Sequence, residues 1–166
     1  MKTYLPLSFF SLVAAIASAE NWNQFRGPTG MGVAEGPVPT QWSNDTIAWK
    51  VELPGQGQSS AVNWGNKLFL TAASEGGGTR TLLCLDKETG KTLWRRDVAT
   101  KQKEALHKMN SWATPSAVTD GERVVAFFGP AGIHCFDMEG KEQWSKDLGG
   151  FPGNWGIAAS PIIAEN

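Results

Sequence analysis

Between Thr100 and Trp112 the chain carries Glu104, His107, Asn110 and Trp112 in one short stretch. A carboxylate three residues before an imidazole can imitate a metal pair, an amide can hydrogen-bond a polar ligand, and an indole can cover one. Glu104 and His107 lack the further ligands a metal site needs, so no metal site is expected. Gln56 and Gln58 lie in one glycine-rich stretch, and Asn154 with Trp155 in another. Gln56, Gln58, His107, Asn110, Trp112, Asn154 and Trp155 are therefore the candidate ligand-facing residues. The competing reading makes them solvated loop polars, with a tryptophan capping the core.

Catalytic motifs are missing. There is no nucleophile elbow and no zinc motif, and no catalytic residue is assigned. Gly76-Gly77-Gly78 lacks the strand-to-helix setting and the lysine of a phosphate loop, and reads as a hairpin tip. In 166 residues, 15 Lys and Arg face 16 Asp and Glu, a net charge of −1 spread without blocks. That balance offers no electrostatic footprint for nucleic acid or an anionic membrane.

The N-terminus has the form of a secretory signal. Met1-Lys2 is followed by an apolar run from Leu5 and an Ala17-Ser18-Ala19 cleavage pattern, so residues 1–19 are expected to be removed on export. The run is too short to span a bilayer, and no later stretch approaches twenty apolar residues, so the mature chain is expected to lack a membrane span.

The elements that must position the candidates are repeats. Leu83-Cys84-Leu85-Asp86-Lys87-Glu88-Thr89-Gly90-Lys91-Thr92-Leu93-Trp94 returns as His134-Cys135-Phe136-Asp137-Met138-Glu139-Gly140-Lys141-Glu142-Gln143-Trp144, one residue shorter at its turn. Ser60-Ala61-Val62 precedes the first copy, Ser116-Ala117-Val118 the second, and Ser160-Pro161-Ile162 starts again. Repeats of about 40 to 50 residues built of short strands predict β-propeller blades of four antiparallel strands. The turn-rich spacers Asn63 to Asn66, Asp86 to Lys91, Asp120-Gly121 and Glu139-Gly140 divide the copies into strands.

The expected layout is a lead-in over 20–45, an outer strand without a blade over 46–53, blades over 58–98 and 113–148, and the start of a third over 158–166. A closed ring needs about four to eight blades, so the chain is expected to be a piece of a longer propeller. Open sheet edges in such a piece invite aggregation or pairing with other chains. Trp49, Trp94 and Trp144 are each placed in an outermost strand, where a large ring packs against the neighbouring blade. Cys84 and Cys135 hold equivalent places in successive blades. Such strands lie too far apart for a disulfide, which predicts two buried free thiols. Links between blades share a face with the second-to-third-strand loops, so the candidate residues gather on one long-loop face.

The Leu-Asp-x-x-Thr-Gly-x-x-Leu-Trp phrase at Leu85 to Trp94, and its variant ending at Trp144, resemble the pyrroloquinoline quinone (PQQ)-like β-propeller repeat family. Trp22-Asn23-Gln24-Phe25-Arg26-Gly27-Pro28 and Ile47-Ala48-Trp49-Lys50 are similar to the lead-in of its secreted, uncharacterised branch. The resemblance implies an eight-bladed parent. It also implies one of two functions: a noncatalytic scaffold, like the lipoprotein of the outer-membrane β-barrel assembly machinery, or a quinone-dependent dehydrogenase using PQQ and Ca²⁺. The family's alcohol dehydrogenases carry adjacent cysteines and an acidic calcium cluster. Cys84 and Cys135 are not adjacent, and no acidic cluster here has ligand-like spacing. The expectation is therefore an exported scaffold without cofactor, holding a protein or small-molecule ligand at the loop face, with the periplasmic dehydrogenase as the alternative.

Overall fold

A computed structural model describes residues 21–36, 39–100 and 104–164. The signal-like segment lies outside them. Eight strands form two four-stranded antiparallel sheets, each ordered as the chain runs. The first holds β1 (Val62–Trp64), β2 (Lys67–Ala73), β3 (Thr79–Asp86) and β4 (Thr92–Ala99). The second holds β5 (Val118–Thr119), β6 (Arg123–Phe127), β7 (Ile133–Asp137) and β8 (Glu142–Lys146). The all-β fold and the two blades thus stand as the repeat predicts. The sheets even share an irregularity: each ladder slips one step, between Cys84 and Leu85 and between Cys135 and Phe136.

The aspartate of the repeat builds the turn that follows it. Asp86 Oδ1 accepts the backbone N–H of Thr89 at 2.8 Å and its hydroxyl at 2.7 Å, and the Gly90 N–H closes onto the Asp86 carbonyl. Those bonds from Thr89 hold the Asp86 carboxyl below its ordinary range. Asp137 does the same work in the shorter turn, accepting the N–H of Lys141 at 2.8 Å and of Glu139 at 3.1 Å.

The core lies between the sheets. Val62, Phe69, Leu82 and Cys84 of the first blade pack against Ala117, Val124, Ala126, Phe128 and Phe136 around the second. Neither sheet could bury this face alone, which is why the blades stack. Both cysteines are buried free thiols. Burial pushes the Cys84 thiol up to about 12, with Lys67 opposing and Glu139 adding to the shift. The folded protein therefore holds this proton more tightly than the unfolded chain, whose thiol titrates near 9.0. The contribution is complete below pH 9 and is lost as pH rises toward 12. Urea midpoints measured between pH 8 and pH 11 should fall steadily, and less steeply in Cys84→Ala.

Three sequence expectations need correction. Residues 46–53 do not form an outer strand: Asn44–Thr46 is a single 3-10 turn, and residues 47–53 join no ladder among the described residues. Among the described residues no strand lies alongside that segment to pair with it. It is fastened instead by Trp49, whose Nε1 donates to the Lys87 carbonyl at 2.9 Å and whose ring lies against Gly90. Residues 158–164 are likewise not a strand; their hold on the second blade includes a bond from the Ser116 N–H to Ser160 Oγ at 3.0 Å. Trp144 is in β8 as expected but is 47% exposed and covers no turn glycine among the described residues.

Trp94 shows what the rim tryptophan does when a blade follows. Its Nε1 donates to the Met138 carbonyl at 3.0 Å, its ring lies 5.9 Å from Phe69 and 6.4 Å from Phe136, and it covers Gly140. Gly140 has φ of +81°, and a Cβ there would stand 2.7 Å from the indole. Gly140→Ala should therefore lose about 1–2 kcal/mol to the left-handed backbone alone, and more to the clash. Thermal unfolding should register it as a clear drop in Tm.

The lead-in crosses the inner rim of both blades. Trp22 exchanges bonds with Asn63, whose N–H reaches the Trp22 carbonyl at 2.8 Å, and the Thr119 N–H reaches the Asn23 carbonyl at 2.9 Å. Residues 21–23 thereby tie β1 to β5.

Candidate functional site

Three connections meet on one face: the β2–β3 loop, the link from β4 to β5, and the stretch 149–157 after β8. The loop is no loose tip. Gly77 is buried with φ of +69°, directly under the Trp112 indole, where a Cβ would come within 2.5 Å of the ring. The Thr100 N–H bonds the Gly78 carbonyl at 3.0 Å.

Beneath that contact sits an ion pair that the sequence reading missed. Arg80 Nη2 lies 2.8 Å from Glu104 Oε2, with side chains only 1% and 5% exposed. Arg80 also donates to the Gly77 carbonyl, and Glu104 Oε1 accepts the Ile157 N–H at 3.1 Å. One buried carboxylate thus joins the loop, the link and the following stretch. Burial lowers the Arg80 pKa, and Glu104 opposes that shift by charge and hydrogen bond. Glu104 is therefore not half of a metal pair with His107, and no cluster of three metal-ligating residues exists among the described residues. A signal was present in the sequence: Arg80 is a cation opening the apolar run Thr81 to Leu85, and a cation in such a strand needs a partner.

Four of the seven candidate residues come together above this pair. The His107 ring lies against Trp155, tilted by 33° with ring centroids 4.4 Å apart, and Asn110 Nδ2 donates to the Trp155 carbonyl at 2.7 Å. Gln58 Nε2 donates to the Met109 carbonyl at 3.2 Å, and Thr114 bonds both Asn110 and Gln58. His107 Nδ1 accepts the Met109 N–H at 3.3 Å. These polar atoms hold the link to its neighbour. The apolar parts are what face outward, with Trp155 68% and Met109 76% exposed.

The other three candidates are separate from this group or play a different part. Trp112 is half-buried over Gly77, with Nε1 3.4 Å from the Glu104 carbonyl. Gln56 uses its backbone, exchanging bonds of 2.9 and 2.8 Å with Ala73. Asn154 is exposed beside Trp155.

Clefts of about 340 and 480 Å³ open elsewhere, between β4 and the β7–β8 hairpin, and both are lined by His134. His134 Nδ1 lies 2.8 Å from Glu142 Oε1 and Nε2 2.9 Å from the Ala131 carbonyl. Its ring stacks on Phe136 at 13°. With both nitrogens engaged and one face covered, it is a packing residue of the blade.

No helix among the described residues is long and apolar enough to cross a membrane. None of the curated proteins matches this chain. Among solved structures, "The crystal structure of BamB from Moraxella catarrhalis" aligns at 24% identity with a TM-score of 0.43. That alignment covers 60% of this chain and 26% of the other, so the chain spans about a quarter of that relative's length. A family model described as outer membrane protein assembly factor BamB matches residues 35–166, which take in both blades, their links and the Asp-turn-Trp phrase. By that match the chain belongs to the PQQ-repeat β-propeller family of the outer membrane protein assembly factor BamB.

Proposed function

We propose that this chain is an exported, noncatalytic binding scaffold that holds a protein partner on its long-loop face, without a bound cofactor. The observation that carries the reading is the division of labour on that face. Polar atoms of Asn110, Gln58 and Glu104 fasten neighbouring links to one another, while Trp155 and Met109 project into solvent from the rigid base so formed. Exposed tryptophan and methionine on a pre-organised surface suit protein recognition, because little ordering entropy remains to be lost on binding. The family's description as an outer membrane protein assembly factor supports a partner in that kind of assembly and an exported location for the chain.

A photo-cross-linking residue at position 155, expressed in intact cells, should give a discrete protein adduct. A second titration decides against the other chemistry. Adding PQQ and Ca²⁺ to the purified chain should leave tryptophan fluorescence unchanged and produce no dye-linked alcohol oxidation. Saturable binding with turnover would overturn the scaffold reading in favour of a quinoprotein dehydrogenase.

A further inference from the structure

The larger of the two clefts beside His134, about 480 Å³, opens between the outer strand β4 of the first blade and the β7–β8 hairpin of the second. Its position recurs one step back along the chain, where Leu53, Leu83, Thr92 and Arg95 line the gap between residues 52–54 and the first blade. The ladders make the two places comparable: His134 is paired with Ser145 as Leu83 is with Arg95. Arg96 follows Trp94 by two residues as Val51 follows Trp49. At the positions of Val51, Leu83 and Thr92 the later joint therefore has Arg96, His134 and Glu142. Packing blade on blade does not call for this change, since Leu83 needs no partner, whereas His134, only 9% exposed, sits there by finding two. The polar lining of this joint is an addition to the repeat.

We propose that this cleft is a binding site for a small organic anion, a carboxylate or phosphate carried on a single ring or short apolar chain. The volume falls within the range of small-ligand sites, roughly 300–1,000 Å³. Val98 and Phe136 supply an apolar wall beside the polar groups. The charge follows from which groups are already engaged. Asp97 Oδ1 accepts the Thr81 hydroxyl at 2.7 Å and Arg95 Nε at 2.8 Å, and Glu142 Oε1 lies 2.8 Å from His134 Nδ1, so both carboxylates of the lining have partners. The two cations have no counter-charge. Arg96 donates only to the carbonyls of Gly140 and Arg95, and Lys141 Nζ has no partner among the described residues.

Each group has a part in the site. The planar guanidinium of Arg96 is held by its two carbonyls and lies 5.6 Å over the Trp94 ring, so it meets a two-oxygen anion with little ordering left to lose. Lys141 brings a second charge on a flexible stem. The Ser145 hydroxyl, also without a partner among the described residues, is a further donor. A bare inorganic ion would use these groups and leave Val98 and Phe136 uncovered, which is why an apolar body is assigned to the ligand. The cleft shares no residue with the group around Trp155 and Met109, so a ligand here adds a second function to partner binding.

Heteronuclear NMR of the purified chain, titrated with phenyl phosphate and with benzoate, tests the site. At least one of the two should saturate, with shifts centred on the amides of Arg96, Gly140, Lys141 and Ser145, and the tighter one names the anion. Benzyl alcohol keeps a ring and drops the charge, while inorganic phosphate keeps the charge and drops the ring. Both should bind at least about tenfold more weakly than the better probe. Lys141→Gln should weaken that probe about tenfold, and Lys141→Arg should largely restore it. Lys141 is exposed, so neither change is expected to disturb the fold, and unshifted amides outside the cleft verify this. No saturable binding by either probe overturns the proposal. So does binding that Lys141→Gln leaves unchanged, or a control that binds as tightly as the better probe, which would reduce the cleft to a general ionic or apolar patch.

Discussion

Arg80→Ala is expected to lower unfolding free energy by about 3–5 kcal/mol, the usual result of leaving one member of a buried ion pair uncompensated. At 1% and 5% exposure the Arg80 and Glu104 charges have almost no water to turn to. Removing the arginine strands a carboxylate whose other oxygen holds the Ile157 N–H, so the damage should spread from the first blade to the stretch after the second. Glu104→Gln should be milder than Glu104→Ala, because the amide still offers an oxygen to one of its two donors. Urea titrations of Arg80→Met, Glu104→Leu and the combined variant complete the cycle. The combined variant is expected to lose less than the sum of the two, since replacing both charges with apolar groups removes the desolvation cost that each single change exposes. Arg80 Nε has no hydrogen-bond partner among the described residues, which adds to that expectation.

The second large effect separates two tryptophans that look identical in sequence. Trp94→Ala should cost about 3–5 kcal/mol, as truncation of a packed aromatic does, because the ring joins Phe69 to Phe136 across the blades. It would also leave the Met138 carbonyl without the indole donor. Trp144→Ala should change the stability of this chain by less than about 0.5 kcal/mol, in line with surface substitutions that break no packed contact. Comparing the two by urea unfolding tests whether rim tryptophans stabilise their own sheet or the joint with the next one. Equal losses would show that the ring acts within its blade. The large inequality expected here places its contribution at the joint.

The same comparison shows how far the sequence could be read. Four-stranded blades were legible because Asp86 to Trp94 and Asp137 to Trp144 repeat a local code: an aspartate that accepts its own turn's N–H groups, a glycine at positive φ, and an apolar strand on either side. Such bonds span only a few residues, so their residue types leave a pattern along the chain. Strand status at 46–53 and 158–164 was not legible. A strand exists through its ladder, and the apolar alternation of Ile47 to Val51 says nothing about whether a neighbour is present. The first hairpin turned out tighter than its polar spacer suggested, with Trp64 paired to Lys67 and only Gly65-Asn66 between them.

For the candidate site, sequence reasoning found the link that carries it and several of its residues but not their arrangement. His107, Asn110 and Trp155 drew notice as residue types, and they do meet. Arg80 and Glu104 did not, because the ion pair joins a strand to a later link and neither residue's local surroundings name the other. The sequence alone determined the repeat, the blade and the turn chemistry, all of which rest on short-range bonding. Only the tertiary structure decided which tryptophan packs against the core and which polar residues fasten the links. Those outcomes depend on what a folded neighbour brings within a few ångströms, and repeat position by itself makes Trp94 and Trp144 the same.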